Sequence, residues 1–163
     1  MISSQLVDHV ELNAILLSSI LDHQKVDPGS RRSSRNRHGT PMDPAPSWRS
    51  VEMSLFDRPG FDALLQHVKS KVQADFHVGW AVCHPNGGYN LRHHHSERAY
   101  SAVYYVTVPN PAPATVFYED GQECRVVPKE GQLLVFPGFV EHSVDENLSD
   151  GILVAVVCDF MAR

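Results

Sequence analysis

Residues 90–108 read NLRHHHSERAYSAVYYVTV, and this stretch joins three consecutive histidines to a segment rich in β-branched and aromatic residues. Side chains alternate between the two faces of an extended strand. If the chain is extended through the histidines, His93 and His95 lie on one face and His94 lies on the other. Two imidazoles on one face can bind a single metal ion, whereas His94 is predicted to be a bystander. The apolar segment from Ser101 to Val108 predicts a strand directly after them.

The rest of the C-terminal half repeats this pattern of short apolar segments separated by turn residues. Many short strands at regular spacing are typical of a sandwich, a barrel or a jelly roll. His142 lies on one of these segments, after the tight Pro137-Gly138 corner, and a rolled sheet can bring it next to His95. Three neutral imidazoles suit iron and leave coordination positions open, although zinc, copper and nickel also bind imidazole. The predicted strands cover residues 76–82, 101–108, 114–118, 123–127, 132–136, 140–144 and 152–159.

The N-terminal half has helical patterns instead. Apolar residues recur at roughly helical spacing from Ser3 until Asp27-Pro28-Gly29, which predicts a helix that ends there. A second helix is predicted after Asp57, a residue suited to capping. The segment Ser30–Ser47, with four arginines and three prolines, predicts a flexible loop that could also act as a lid. We therefore expect a single domain over 1–163, with helical parts at 3–27 and 57–74, a loop at 30–47 and a β-barrel core at 75–160.

Composition excludes several classes of protein. The net charge of −5 argues against a nucleic-acid partner. No apolar run is long enough for a membrane span, and no membrane partner is expected. Cys83, Cys124 and Cys158 form no Cys-x-x-Cys pair, so they predict free thiols and a cytoplasmic location. The expected partner is a small-molecule substrate, and a homodimer is left open.

The region from Trp80 to Tyr105 resembles the 2-oxoglutarate/iron(II)-dependent oxygenases that carry His-x-His in place of the commoner His-x-Asp. The matching residues are Trp80, the turn from Asn86 to Asn90, His93 with His95, and the strand from Ser101 to Val106. The later segment from Gly131 to Pro137, followed by His142-Ser143-Val144, is similar to the second metal strand of that family. The resemblance covers roughly two-thirds of the chain.

This resemblance implies an α+β, mainly β, double-stranded β-helix (jelly roll) with N-terminal helices packed on one sheet. It implies that iron(II) is bound by His93, His95 and His142, and that O₂ and 2-oxoglutarate are consumed to oxidise a substrate. Outer groups would orient each imidazole, and Glu97, Glu141 and Ser143 are the nearest candidates in sequence. The residues expected to line the substrate pocket are Trp80, Asn90, Arg98 and Phe136.

Two departures from the family pattern stand out. The family usually carries an Arg or Lys about ten residues after the distal histidine, to pair with the 2-oxoglutarate carboxylate. Between Ser143 and Ala162 this chain has neither. Arg125 is the first substitute, and Arg92, Arg98 and Lys129 are others. Ser101, Tyr104 and Tyr105 are expected to assist in co-substrate binding. The acidic metal ligand is also missing, and Glu97 is a weaker alternative to the three-histidine set.

Three functions therefore stay open. The leading one is a 2-oxoglutarate-dependent iron(II) oxygenase that acts on a small molecule or an amino-acid-like substrate. The second is a three-histidine, cupin-like metal dioxygenase that does not use 2-oxoglutarate, which the missing basic residue favours. The third is a non-catalytic, metal-binding β-barrel.

Overall fold

Two antiparallel sheets face each other, and two helices cover the outer face of the larger one. The computed structural model describes residues 1–29, 46–95 and 97–163. The predicted loop at 30–47 lies outside the described residues except for positions 46 and 47. Within the described ranges, neither helix has both the length and the apolar character that crossing a membrane requires.

The helices are α1 (His9–Gln24) and α2 (Phe61–Lys69). The strands are β1 (Ile2–Gln5), β2 (Trp48–Arg49), β3 (Asp75–His84), β4 (Asn90–His93), β5 (Tyr100–Thr107), β6 (Thr115–Glu119), β7 (Gln122–Val126), β8 (Gln132–Pro137), β9 (Glu141–Val144) and β10 (Leu153–Met161).

The strand order confirms the predicted jelly roll. The larger sheet has the order β1-β8-β5-β10-β3-β2, and the smaller sheet has the order β4-β9-β6-β7. From β3 onward the chain passes back and forth between the two sheets, apart from the β6–β7 hairpin in the smaller sheet, as in a double-stranded β-helix. The core strands match the predicted segments to within a few residues.

Alternation along the central strand β10 divides the apolar side chains between two cores. Val154 and Val156 face the helices and pack with Leu16, whereas Leu153 and Ala155 face the smaller sheet. Each fully buried valine or leucine side chain stabilises the fold by roughly 2 kcal/mol. The inner core between the sheets is the one that borders the histidines.

The N-terminal residues differ from the prediction. The expected helix begins at Ser3, but residues Ile2–Gln5 form β1, which pairs with the edge of β8 through registers such as Ile2↔Val135. Helical spacing cannot reveal this, because the pairing partner lies more than a hundred residues away. The second predicted helix is shorter than expected, and it begins after Gly60, whose positive φ of 89° favours glycine.

The two-residue strand β2 was not predicted, and Asp27 anchors it. One carboxylate oxygen of Asp27 accepts the Gly29 N–H at 2.8 Å, and the other accepts the Val51 N–H at 3.0 Å. The indole N–H of Trp48 donates to the Asp27 carbonyl at 3.1 Å. Asp27 therefore fixes the chain on both sides of β2, which pairs with β3 at Arg49↔Val82.

We expect Asp27→Asn to lower the free energy of unfolding by about 2 kcal/mol at neutral pH, because hydrogen bonds to a charged acceptor are lost. Burial alone would raise the pKa of Asp27, but the N–H groups of Val51 and Gly29 and the nearby His23 lower it below its ordinary value of 3.8. A lowered folded-state pKa means that this stabilisation is present above pH 3.8 and is lost as the pH falls through the folded-state pKa. Urea unfolding of the wild type and of Asp27→Asn at several pH values measures the difference in the free energy of unfolding.

The exposed pair of Asp22 with Lys25 offers the matched control. Asp22→Asn should leave the free energy of unfolding close to that of the wild type, because water screens an exposed ion pair. Equal losses in the two variants would contradict the anchoring role of Asp27.

Candidate metal centre and its cavity

Three imidazoles converge at one end of the space between the sheets. His93 ends β4 and pairs directly with His142 on β9. Their ring centroids lie 4.3 Å apart, and the ring of His95 lies 5.1 Å from His93 and 5.3 Å from His142. One potential ligand atom from each ring lies within 4.8 Å of the other two. The structure thus brings together the three histidines that the sequence analysis proposes as metal ligands.

His95 lies beyond the end of β4, so regular strand alternation does not position it. Its backbone N–H donates to the Gly138 carbonyl at 2.7 Å, and this bond ties the loop after β4 to the turn between β8 and β9. A Cβ atom at Gly138 would collide with the carbonyl oxygens of His95 and Arg98. The Pro137-Gly138 corner therefore needs glycine so that the two histidine-bearing segments can approach each other.

The Nδ1 atom of each histidine has an acceptor on the protein. Nδ1 of His93 donates to the Leu91 carbonyl at 2.6 Å. Nδ1 of His142 donates to the Val140 carbonyl at 3.0 Å. In His95 it donates to Asp159 Oδ2 at 2.8 Å. Because these acceptors fix the proton on Nδ1, the Nε2 lone pairs are available for a metal.

Burial keeps two of the imidazoles neutral. Desolvation, together with His95, lowers the pKa of His142 to about 4. Desolvation, together with His142 and His95, lowers the pKa of His93 well below its ordinary value. A neutral imidazole is the form that binds metal. The donor set and its tautomers therefore fit a first-row divalent ion, and iron(II) is among the ions that imidazole suits.

Asp159 is the buried carboxylate behind His95. It is 3% exposed, and it accepts the hydroxyl of the fully buried Ser101 as well as the Nδ1 proton of His95. Arg98 Nε lies 3.7 Å from the same carboxylate. A carboxylate behind a metal-binding histidine fixes the ring and raises its basicity.

Sequence proximity had indicated other groups for this orienting role. Glu141 instead pairs with Arg92 at the surface, Ser143 bonds the Tyr118 hydroxyl at 2.9 Å, and Glu97 is exposed. Asp159 was missed, although it is the only charged residue in the otherwise apolar strand Leu153–Met161. The signal in the sequence that could have identified Asp159 is a single charged residue at an inward position of an apolar strand.

A cavity opens beside the three histidines. This cavity is lined by three of the residues predicted for the substrate or co-substrate pocket, namely Trp80, Asn90 and Tyr105. The hydroxyls of Tyr105 and Thr115, which also lines the cavity, lie 2.6 Å apart. The inward residues of β10 contribute only apolar side chains there: Leu153, Ala155 and Val157.

Several other predicted site residues lie elsewhere. Arg125 is exposed on β7, where Glu123 and Asp145 pair with it. Tyr104 points to the helices, because alternation on β5 sends Tyr105 inward and its neighbour outward. Phe136 packs its ring 4.8 Å from that of His142, and thus supports the histidine from behind. Ser101 and Arg98 belong to the Asp159 cluster.

We expect Tyr104→Phe to lower the free energy of unfolding by about 1–2 kcal/mol without changing ligand binding in the cavity. The Tyr104 hydroxyl donates to the buried Asn13 side chain at 2.7 Å, so its loss leaves a polar atom unsatisfied. Urea unfolding measures the stability, and Tyr118→Phe, at a less buried hydroxyl, is the control. A loss of co-substrate affinity at unchanged stability would contradict this placement.

The basic residue that the sequence did not reveal is Arg49 on β2. Its guanidinium carbon lies 3.8 Å from the centroid of the Trp80 ring, and that ring stacks 5.8 Å from the ring of His95. Arg49 is 7% exposed and lines the same cavity as the histidines. A two-residue strand has too short a pattern to be recognised in the sequence.

Comparisons with known proteins bear on the fold. No protein-family model matches the sequence, and a search of curated proteins gives no match. Among solved structures, a prolyl-4-hydroxylase from Pseudomonas putida aligns with a TM-score of 0.70 and 17% identity over 99% of this chain and 92% of that chain.

Two other solved structures are similar. The viral collagen prolyl hydroxylase vCPH from Paramecium Bursaria Chlorella virus-1, a 2-oxoglutarate complex, has a TM-score of 0.65 and 11% identity over 99% of this chain and 96% of that chain. The non-haem α-ketoglutarate-dependent epimerase SnoN from nogalamycin biosynthesis has a TM-score of 0.76 and 14% identity over 99% and 77%. The protein therefore has the fold of the 2-oxoglutarate/iron(II)-dependent oxygenases, as the resemblance in the sequence predicts.

Proposed function

We propose that this protein is a non-haem iron(II) oxygenase whose metal is bound by His93, His95 and His142. The observation that carries the proposal is the convergence of three Nε2 atoms whose rings are each fixed through Nδ1. Iron(II) bound there would supply the activation of O₂ for oxidation of a substrate. The shared fold with known iron oxygenases supports iron over the other ions that imidazole binds.

The surrounding residues have separate tasks in this proposal. Asp159 and two backbone carbonyls hold the imidazoles in the metal-binding tautomer. The apolar floor formed by Leu153, Ala155 and Val157 limits the access of water to the reacting end of the cavity. Asn90, Tyr105 and Thr115 supply polar groups that can orient a bound ligand.

The finer proposal is that 2-oxoglutarate is the co-substrate and that a small or amino-acid-like molecule is oxidised. The fold supports 2-oxoglutarate, since the similar structures named above include a 2-oxoglutarate complex. The fold does not select a substrate, because those structures include a prolyl-4-hydroxylase, a collagen prolyl hydroxylase and an epimerase from nogalamycin biosynthesis.

A second candidate is a three-histidine dioxygenase that binds its substrate directly to the metal without 2-oxoglutarate. The specific observation in its favour is β10, which presents apolar residues at the inward positions where the family places its basic residue.

Anaerobic addition of iron(II) and then 2-oxoglutarate separates these candidates. The first predicts a weak visible charge-transfer band that appears only with the keto acid, and succinate formation once air is admitted. Iron binding without a band or succinate would leave the second candidate. Absence of stoichiometric iron binding would contradict both and favour a non-catalytic barrel. Arg125→Gln, at a surface ion pair outside the cavity, should behave as the wild type.

A further inference from the structure

The charge on Asp159 is shared between a proposed metal ligand and a neighbouring arginine. Of the three acceptors that hold the Nδ1 protons of the histidines, Asp159 is the only one that carries a charge, since the other two are backbone carbonyls. Its Oδ2 accepts the proton of His95 at 2.8 Å, and the Nε of Arg98 lies 3.7 Å from the same oxygen. Negative charge that Arg98 neutralises is therefore withdrawn from the bond to His95.

Arg98 is tied both to the backbone that carries His95 and to the strand that carries Asp159. Its backbone N–H donates to the His95 carbonyl at 2.8 Å. Its Nη1 donates to the sulfur of Met161 on β10 at 3.6 Å. The Arg98 side chain is 24% exposed and that of Asp159 is 4% exposed, so water screens the pair only in part. The guanidinium is thus placed to act on the carboxylate continuously.

The field of Asp159 reaches beyond the histidine that it contacts. Burial and His95 lower the pKa of His142, and the charge of Asp159 opposes that lowering. Neutral imidazoles bring no negative charge to a metal ion. Iron(III) carries one more positive charge than iron(II), so negative charge near the site favours iron(III) and positive charge favours iron(II). The balance between Asp159 and Arg98 therefore bears on the oxidation state of an iron ion bound there.

We propose that Arg98 is a positioning residue that acts on the three-histidine site through Asp159 and favours iron(II) over iron(III) there. This inference rests on the proposed iron site. Without the guanidinium, Oδ2 of Asp159 becomes a stronger acceptor for the Nδ1 proton of His95, and electron density at the Nε2 of that ring rises. A more electron-rich ligand and a less positive surrounding both favour iron(III). Arg98 thereby holds iron in the oxidation state that the proposed activity uses.

An anaerobic redox titration of iron-saturated protein, with iron(III) followed by electron paramagnetic resonance, tests this role. At a fixed potential, Arg98→Gln should raise the ratio of iron(III) to iron(II) about 10-fold, which corresponds to about 59 mV for a one-electron couple. Arg98→Lys keeps the charge and should retain most of the wild-type ratio. Arg92→Gln is the matched control and should leave the ratio unchanged, because Arg92 pairs with Glu141 at the surface.

Two further measurements separate this role from a merely structural one. In an Asp159→Asn background, Arg98→Gln should change the ratio little further, because the group through which Arg98 acts has lost its charge. Iron(II) affinity in the single variant Arg98→Gln should equal or exceed that of the wild type. An unchanged ratio in Arg98→Gln, a full change in the Asp159→Asn background, or weaker iron(II) binding with an intact fold by circular dichroism would each overturn the inference.

Nuclear magnetic resonance of the metal-free protein tests the same contact without iron. The Nδ1 proton of His95, assigned by its absence from His95→Ala, should give a downfield resonance because a carboxylate accepts it. Arg98→Gln should move that resonance further downfield, and Arg98→Lys should move it less. A resonance that does not move would overturn the role of Arg98 even where iron binds. If the wild type binds no iron, the proposed iron site fails, and the resonance still decides whether Arg98 acts on His95.

Discussion

Replacement of His142 by alanine is expected to abolish iron(II) binding at micromolar concentrations, because it removes one of the three proposed ligands. The His142 ring is 6% exposed and directly opposes His93 across the β4–β9 pair, so no other described histidine can take its place. Two remaining imidazoles cannot define a facial site, and the phenylalanines that surround His142 offer no donor atom. Anaerobic iron titration, followed by metal analysis of the desalted protein, measures the result.

His94 provides the matched control within the same three-residue run. It is exposed, and its ring is absent from the cluster formed by its two neighbours. His94→Ala should therefore retain wild-type iron stoichiometry. Unchanged stoichiometry in His142→Ala, with a folded protein by circular dichroism, would show that the ligand set is wrong.

Substitution of Asp159 by asparagine should weaken iron binding by about 10- to 100-fold, which is the usual effect of removing the outer partner of a metal-binding histidine. The change keeps the size of the side chain but removes the negative charge that accepts the Nδ1 proton of His95. Asparagine can also present its N–H₂ group to Nδ1, which would favour the tautomer that cannot bind through Nε2. Competition with a chromophoric chelator measures the affinity.

Glu141→Gln is the control for Asp159→Asn. Glu141 is adjacent to His142 in sequence, but it pairs with Arg92 at the surface. Its substitution should leave iron affinity unchanged, whereas Ser101→Ala should cause a smaller loss than Asp159→Asn because the carboxylate remains. If Asp159→Asn binds iron as tightly as the wild type, then Asp159 does not orient His95.

The core strands could be predicted because their signals are local, and the three histidines could be proposed from their spacing, although the bond to Gly138 and not strand alternation positions His95. Apolar segments such as Leu153–Met161 identify themselves by composition. The two histidines of His-x-His lie two residues apart, and His142 follows a recognisable corner. The second helix is apparent because its apolar residues recur at helical spacing.

Other features could not be predicted because they depend on pairing between distant segments. β1 forms only because β8 offers it an edge, and β2 forms only where Asp27 holds the chain against β3. Tyr104 and Tyr105 are chemically alike and adjacent, so only the placement of helices on one side of β5 decided which of them lines the cavity.

The sequence by itself therefore determined a domain of many short strands and the three candidate metal ligands from residue type and spacing, and the jelly roll through the family resemblance. The tertiary structure alone decided what surrounds those ligands. Asp159 meets His95 across 64 positions of the chain, and Arg49 reaches the cavity from a two-residue strand. Charges that act through space between such distant positions leave no local pattern, because the fold and not the chain order sets the distance between them.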